Sequence, residues 1–308
     1  MKTPAAIYVE NGKPMIIDDI DLPDPGPTQV LVKQFATGVC HSQLHELNRP
    51  DAALPLVLGH ESTGVVLQKG SQVTHVKEGD HVMVTWVQRG AREGLPMPSI
   101  ANVTYKGTKV NFGAPIFTGV FTWSRDCIAD EQFIVPLDSD VATDVTAPVG
   151  CAVMTGAGAA INAAQVRPGD SVAVIGVGGV GLCVVQAAAN LGADPVIVVD
   201  LADEKLEFAK KFGATIGINA AKEDPVAKVR ELMGGTMNSG VDIAFDAIGA
   251  TKSMEQVLML ARGRRIGERD GGVAVLVGVP HGEPPKPPMH MIFTGKVFRG
   301  APGGCSRP

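Results

Sequence analysis

The sequence predicts an α/β protein made of a β-rich amino-terminal part and a doubly wound parallel sheet with helices on both faces. Three observations predict it. The first 150 or so residues read as short β-rich runs broken by Pro and Gly. After Ala147, strand-like and helix-spaced segments alternate. Within that second stretch a glycine-rich turn joins a short apolar strand to a helix. The bulk numbers agree. A chain of 308 residues with 45% hydrophobic and 19% charged content can bury the core of one large or two medium globular domains. A net charge of −5 and a pI near 5.8 leave no basic excess for phosphates, which excludes nucleic-acid and membrane-surface binding.

In order along the chain, Ala5–Glu10, Met15–Asp19, Gln29–Thr37, Gly64–Gln68, His81–Thr85 and Glu131–Val135 are the strands of the first part. Turn clusters such as Leu22–Pro27 and Glu78–Asp80 separate them, so the part should be a small, mostly antiparallel barrel. Arg89–Gly119 shows no clear periodicity and reads as a long surface loop. In the second part, strands near Ser171–Ile175, Pro195–Val199, Ile216–Ile218, Val241–Phe245, Val273–Val277 and Val297–Arg299 bracket helices at Val180–Leu191, Asp203–Phe212, Pro225–Met233 and Lys252–Ala261. The Pro-rich Pro280–Pro288 should be a surface connection.

Met1–Pro14 has no sustained apolar core, and the apolar run Val172–Val185 is too short to span a membrane and is broken by glycines. Five scattered cysteines (Cys40, Cys127, Cys151, Cys183, Cys305) are not a disulfide framework and suit a reducing cytoplasm. Cys183 reads as a core thiol. His75, His81, His281 and His290 sit in no motif and read as surface residues.

Ser171–Ile175 runs directly into Gly176-Val-Gly-Gly-Val-Gly181, and a second strand ends in Asp200. Gly176 permits the tight turn, Gly178 lets the backbone approach a pyrophosphate, and Gly181 lets the helix pack close on the strand. The diphosphate then meets the free N–H groups and positive dipole end of the helix. Asp200, about 20 residues beyond the glycines, can accept both ribose hydroxyls and would repel a 2′-phosphate, so the expected cofactor is NAD rather than NADP. The plainer alternative, a Gly-rich turn without a ligand, accounts for the glycines but not for Asp200.

Three short motifs carry soft donors: Gly38-Val-Cys-His-Ser42 with His45, Gly59-His-Glu-Ser-Thr-Gly64, and Gly150-Cys151. Cys and His suit Zn²⁺, and three protein ligands with one open position describe a catalytic zinc site. Taken singly, each is as readily a buried thiol or an ordinary histidine.

With these motifs in this order, the chain resembles the zinc-dependent alcohol dehydrogenases of the medium-chain dehydrogenase/reductase superfamily along its whole length. The resemblance implies a GroES-like catalytic domain over residues 1–152, an NAD-binding Rossmann domain over 153–300, and the start of a return segment at 301–308, with the active site in the cleft between the domains. It implies that Cys40, His60 and Cys151 bind the catalytic zinc, with Glu61 behind it, either supporting the ligands from outside or exchanging onto the metal. Zinc bound to a substrate oxygen lowers the alcohol's pKa and polarises the aldehyde in reverse. By the same resemblance Ser42 meets the substrate oxygen and His45 releases the proton to solvent. His41 would face the pyrophosphate and Lys205 the adenosine ribose. Thr155, Val180 and Val277–Val279 (with Gly278) would contact the nicotinamide, alongside Gly176, Gly178, Gly179 and Gly181 at the phosphates. Trp86 would narrow the substrate pocket. His45 on a solvated helix face and Trp86 as ordinary core are the bland alternatives.

The sequence departs from the family pattern in four places. Arg89–Gly119 has no cysteine, where many members hold a structural zinc, so one metal per chain is expected. Gln43 stands where an Asp often orients the zinc-binding histidine; its carbonyl can still accept the imidazole N–H of His60, without a charge. Members continue for several dozen residues beyond Gly303-Gly304, and Arg262–Gly272 is longer and more basic than the usual turn. The expected activity is NAD-linked interconversion of a primary or aryl alcohol and its aldehyde by a cytoplasmic homodimer with a small-molecule substrate. The competing expectations are a catalytically impaired dinucleotide-binding remnant and a zinc-free quinone or enoyl reductase, against which Cys40 and Asp200 both speak.

Overall fold

A computed structural model of the chain describes residues 1–90, 96–114, 119–286 and 289–308, the side chains of 289–291 excepted. The chain divides into two units, Met1–Cys151 with Arg307–Pro308, and Ala152–Ser306.

The first unit holds two antiparallel sheets. One has the order β4-β1-β2-β7-β8, from β1 (Lys2–Tyr8), β2 (Ile16–Asp21), β4 (Leu56–Val57), β7 (Thr104–Tyr105) and β8 (Thr108–Lys109). The other has the order β10-β6-β5-β3-β9, from β3 (Gln29–Thr37), β5 (Ser62–Lys69), β6 (His81–Val84), β9 (Asp126–Asp130) and β10 (Ile134–Pro136). Alternation in β1 turns Ala5 and Ile7 inward, where they join Ile20, Val30, Val32, Val66, Val82, Phe121 and Phe133 in one core. Two short helices, α1 (Ser42–Leu47) and α2 (Thr143–Thr146), lie on the connections.

Four expectations need correction here. Glu131–Phe133 is a 3₁₀ turn capped by Asp130, whose carboxylate accepts the Gln132 N–H, so only Ile134 onward is strand. Strand β9 was not expected, because aspartates at both of its ends look like turn signals. The structure buries both, Asp126 against the Thr3 hydroxyl and Asp130 against those of Thr28 and Ser99. Arg89–Gly119, apart from 91–95 and 115–118, which lie outside the described residues, is no surface loop. Ala101, Val103, Tyr105, Val110 and Phe112 enter the core, and β7 and β8 form a hairpin across Lys106-Gly107, both at positive φ. Finally, the His75 side chain is largely buried, with Nε2 3.1 Å from the Ile134 carbonyl and Nδ1 3.3 Å from Glu131.

The second unit is a six-stranded parallel sheet of order β13-β12-β11-β14-β15-β16. Its strands are β11 (Val172–Ile175), β12 (Val196–Asp200), β13 (Ile216–Asn219), β14 (Ile243–Asp246), β15 (Val273–Leu276) and β16 (Val297–Gly300). Val172, Val174, Val196, Val198, Phe245 and Val275 bury on one face; Ala173, Ile175, Ile197, Val199, Ala244 and Ala274 bury on the other. Both faces are therefore apolar, as crossover helices require. The helices are α3 (Ala152–Gly158, continued by a π-helical turn, Ala159–Ala164), α4 (Gly179–Asn190), α5 (Asp203–Ala209), α6 (Pro225–Leu232) and α7 (Thr251–Leu260). Helix α5 stops short of the expected Phe212, with Lys210–Phe212 tightening into a 3₁₀ turn before Gly213 at positive φ. Helix α3 was missed because of its glycines. They are there for contact: a Cβ on Gly156 would strike the Val180 carbonyl and Cys183 of α4, and one on Gly158 the Gly304 backbone and Ser306 hydroxyl. Of Pro280–Pro288, residues 287–288 lie outside the described residues. Among the described residues, no single helix is long and apolar enough to cross a membrane.

Candidate metal centre and dinucleotide site

Cys40 lies just past the end of β3, at the entry to α1. His60 and Glu61 precede β5, and Cys151 ends the first unit. The antiparallel sheet brings these three segments together, so that one ligand atom from each of Cys40, His60, Glu61 and Cys151 lies within 4.8 Å of every other. The Cys40 and Cys151 sulfurs are 3.7 Å apart, and the Ser42 hydroxyl donates to the Cys40 sulfur at 3.3 Å. His60 and Glu61 are 2% and 3% exposed, so the arrangement is fixed by packing. Gly38 makes room for it, since a Cβ there would sit 2.5 Å from the Glu61 carboxyl carbon.

The electrostatics favour the charged form of one donor at the expense of its neighbours. Burial, and then the neighbouring Cys40, push Glu61 up to about 7. Cys40 is drawn down to about 3, first by the hydrogen bond from Cys151, which is itself pushed well up by Cys40 and by burial. Glu61 Oε2 is buried with no hydrogen-bond partner. Two thiols, an imidazole and an orphaned buried carboxylate oxygen make a donor set that fits a divalent cation such as Zn²⁺.

Around the cluster, the Trp86 ring stands edge-on to His60 at 6.4 Å, and the rings of His41, which caps α1, and His45, within it, meet edge-on at 5.5 Å. Two supports carried no sequence signal. The buried Thr85 hydroxyl donates to the Gly150 carbonyl and pins the residue before Cys151. Thr37 donates to the Glu61 carbonyl at 3.0 Å. The Gln43 carbonyl, expected at His60, is engaged by the Cys40 N–H at 2.8 Å.

In the second unit the glycine turn behaves as the sequence predicts. Gly176 has φ +86°, and a Cβ on Gly181 would run into the Gly176 carbonyl oxygen. Nothing lies within 4 Å of where a Cβ on Gly178 would be, so that side of the turn is open; at Gly179 the only such neighbour is Ala152, 4.0 Å away. Asp200 ends β12, with one carboxylate oxygen accepting the Val177 N–H at 3.0 Å and the other the Leu201 N–H at 2.8 Å. The carboxylate is thus already locked to the glycine turn. Thr155 is 7% exposed, and its buried hydroxyl has no hydrogen-bond partner. Val180 is half-buried on α4, Val277 is buried and Val279 exposed. The Val277 and Gly278 N–H groups both donate to the Asp246 carbonyl. Lys205 is exposed on α5.

Family comparison agrees with this geometry. Residues 26–139 match the alcohol dehydrogenase GroES-like domain and residues 179–307 the zinc-binding dehydrogenase domain. An S-(hydroxymethyl)glutathione dehydrogenase of Escherichia coli O6:H1 is 33% identical over 99% of this chain and 85% of its own length. The chain belongs to the zinc-dependent alcohol dehydrogenase family. Among solved structures, benzyl alcohol dehydrogenase from Acinetobacter calcoaceticus superposes with a TM-score of 0.86 at 29% identity, covering 100% of this chain and 86% of that one. An alcohol dehydrogenase from Thermus sp. ATN1 gives 0.77 at 26% identity, over 96% and 84%. As a member of this family the chain is an oxidoreductase, with its β-rich first unit and parallel second unit being the family's GroES-like and Rossmann folds.

Proposed function

We propose that this family member uses NAD to interconvert a primary or aryl alcohol and its aldehyde, with one zinc held by Cys40, His60 and Cys151 and with Glu61 as the exchanging carboxylate. The observation that carries the reading is the convergence of those four donors around an unpartnered buried oxygen. When bound, zinc would supply Lewis acidity toward the substrate oxygen and NAD a hydride acceptor, the glycine turn of the second unit being where the dinucleotide would be held.

The chain's own residues then have these roles. The Ser42 hydroxyl, beside the Cys40 sulfur, accepts the substrate hydroxyl proton as it gives up its own toward His45. His45, three residues further along α1 and half-buried, passes it to solvent. Trp86, edge-on to His60, limits the substrate's width. Asp200 receives the adenosine ribose hydroxyls and repels a 2′-phosphate, which favours NAD. His41 faces the pyrophosphate and Lys205 the adenosine ribose, while Thr155, Val180 and Val277–Val279 hold the nicotinamide. The names of two relatives support the substrate class, because S-(hydroxymethyl)glutathione and benzyl alcohol both present a CH₂OH group. A single zinc is supported by the lack of cysteine in Arg89–Gly119. The two thiols of the cluster are free, as a reducing cytoplasm would keep them.

A homodimer formed along β16 is part of the proposal. This strand ends the sheet order, and three of its four residues, Phe298 among them, are exposed. A monomer in sedimentation at micromolar concentration would contradict that element. The central test is a zinc assay paired with NAD⁺ turnover across a panel of alcohols. One zinc per chain and chelator-sensitive oxidation of primary or benzylic alcohols are expected; zinc-free protein with undiminished turnover overturns the proposal.

A further inference from the structure

We infer that Gln43 is the positioning residue of the Cys40 ligand, fixing that sulfur in the donor set through the Cys40 backbone; this rests on the proposal that Cys40, His60 and Cys151 hold the metal. Gln43 lies in the first turn of α1 and is 1% exposed. Its side-chain carbonyl accepts the Cys40 N–H at 2.8 Å, and its own N–H donates to the Cys40 carbonyl at 3.1 Å. One residue therefore binds both polar groups of the Cys40 main chain.

Such a reach-back from a Gln or Glu three residues on is half of a reciprocal helix-entry motif. In the other half, a Ser or Thr at the leading position turns its own side chain onto the helix. Here that second half is absent. The Cys40 sulfur is turned instead toward Cys151, at 3.7 Å, and toward the Ser42 hydroxyl, at 3.3 Å. Gln43 thus anchors the helix entry without occupying the sulfur, which stays available as a ligand.

The arrangement leaves Gln43 Nε2 buried with no partner, a destabilising feature that an apolar side chain of equal size would avoid. What the amide offers in return is an oxygen that carries no charge. The cluster already gathers two sulfurs and a carboxylate within 4.8 Å of one another, and a neutral oxygen adds no further negative charge beside them.

The test compares Gln43→Met, which fills the volume without an oxygen, with Gln43→Glu, which keeps an oxygen at the same reach. Zinc affinity is measured on the full chain by chelator competition, and donor geometry is read from the Co²⁺-substituted absorption spectrum. Gln43→Met is expected to lose about tenfold or more in zinc affinity and to shift the thiolate-to-cobalt bands. Gln43→Glu is expected to keep the wild-type bands. Should Gln43→Met fail to fold, Gln43→Asn, whose oxygen falls short by one bond, carries the same expectation of loss. Zinc-binding wild type with an unchanged Gln43→Met, or loss of the bands in both Met and Glu variants, overturns this inference alone. Wild type that binds no zinc overturns it together with the proposed function.

Discussion

The two units solve the problem of making a site in opposite ways. In Met1–Cys151 the donors are side chains from three separate segments, and no stretch of ten residues contains more than one of those segments. In Ala152–Ser306 the site is mainly backbone: a glycine turn, a helix start and one carboxylate, all within a single βαβ unit. Chemistry is therefore concentrated where tertiary structure assembles it, and cofactor recognition where local structure suffices. The two should be separable by mutation.

The largest effect should come from Cys151→Ala, which removes a donor from the first unit only. We expect kcat/KM to fall by about 10³-fold or more, with NADH binding, followed by fluorescence titration, unchanged. Loss of NADH binding as well would show that the units are not separable. Next come two glycines of the second unit that differ in what surrounds them. Gly181→Val drives a side chain into the Gly176 carbonyl and should lower the melting temperature and abolish dinucleotide binding. Gly178→Ala meets nothing within 4 Å, so it should melt as wild type yet bind the dinucleotide about tenfold more weakly. Equal stability loss in both would sink the distinction. Asp200→Asn keeps an acceptor for the Val177 N–H but drops the charge. Discrimination between NAD⁺ and NADP⁺, taken as the ratio of kcat/KM values, should shrink by roughly tenfold.

The smallest effect concerns Lys296, buried in the second unit, where it donates to the Leu258 carbonyl in the last turn of α7. Burial, and then Arg230, lower it from 10.5 to about 8. Between those values the unfolded chain holds more protons than the folded one, so stability due to this group rises with pH. Denaturant titrations should show wild type gaining roughly 1 kcal/mol on Lys296→Met between pH 7.5 and 10.5; a constant gap would exclude it.

How far the sequence could be read follows the same division. The glycine turn, Asp200 and the strands of the parallel sheet were legible because each depends on neighbours a few residues away, and their bounds shift by only a residue or two. The metal donors were legible only as a family resemblance, since nothing local distinguishes Cys40 or Cys151 from a buried thiol. What stayed hidden was long-range compensation. Asp126 and Asp130 look like loop residues until Thr3, Thr28 and Ser99 are seen to satisfy them. Gly156 and Gly158 look like helix breakers until the backbones they admit are placed. Gln43 was read against His60 because the family pattern pointed there, whereas the geometry gives its carbonyl to Cys40.

The pairing of Cys40 with Cys151 also bears on how the first unit holds together. The two residues are 111 positions apart. A single ion gripped by both, as proposed above, would close a loop that takes in most of that unit's strands, doing what a cystine bridge does elsewhere. The chain entropy removed from the unfolded state by such a cross-link grows with loop length. Stripping the ion should therefore soften the β-rich unit selectively and leave the melting of the parallel sheet untouched.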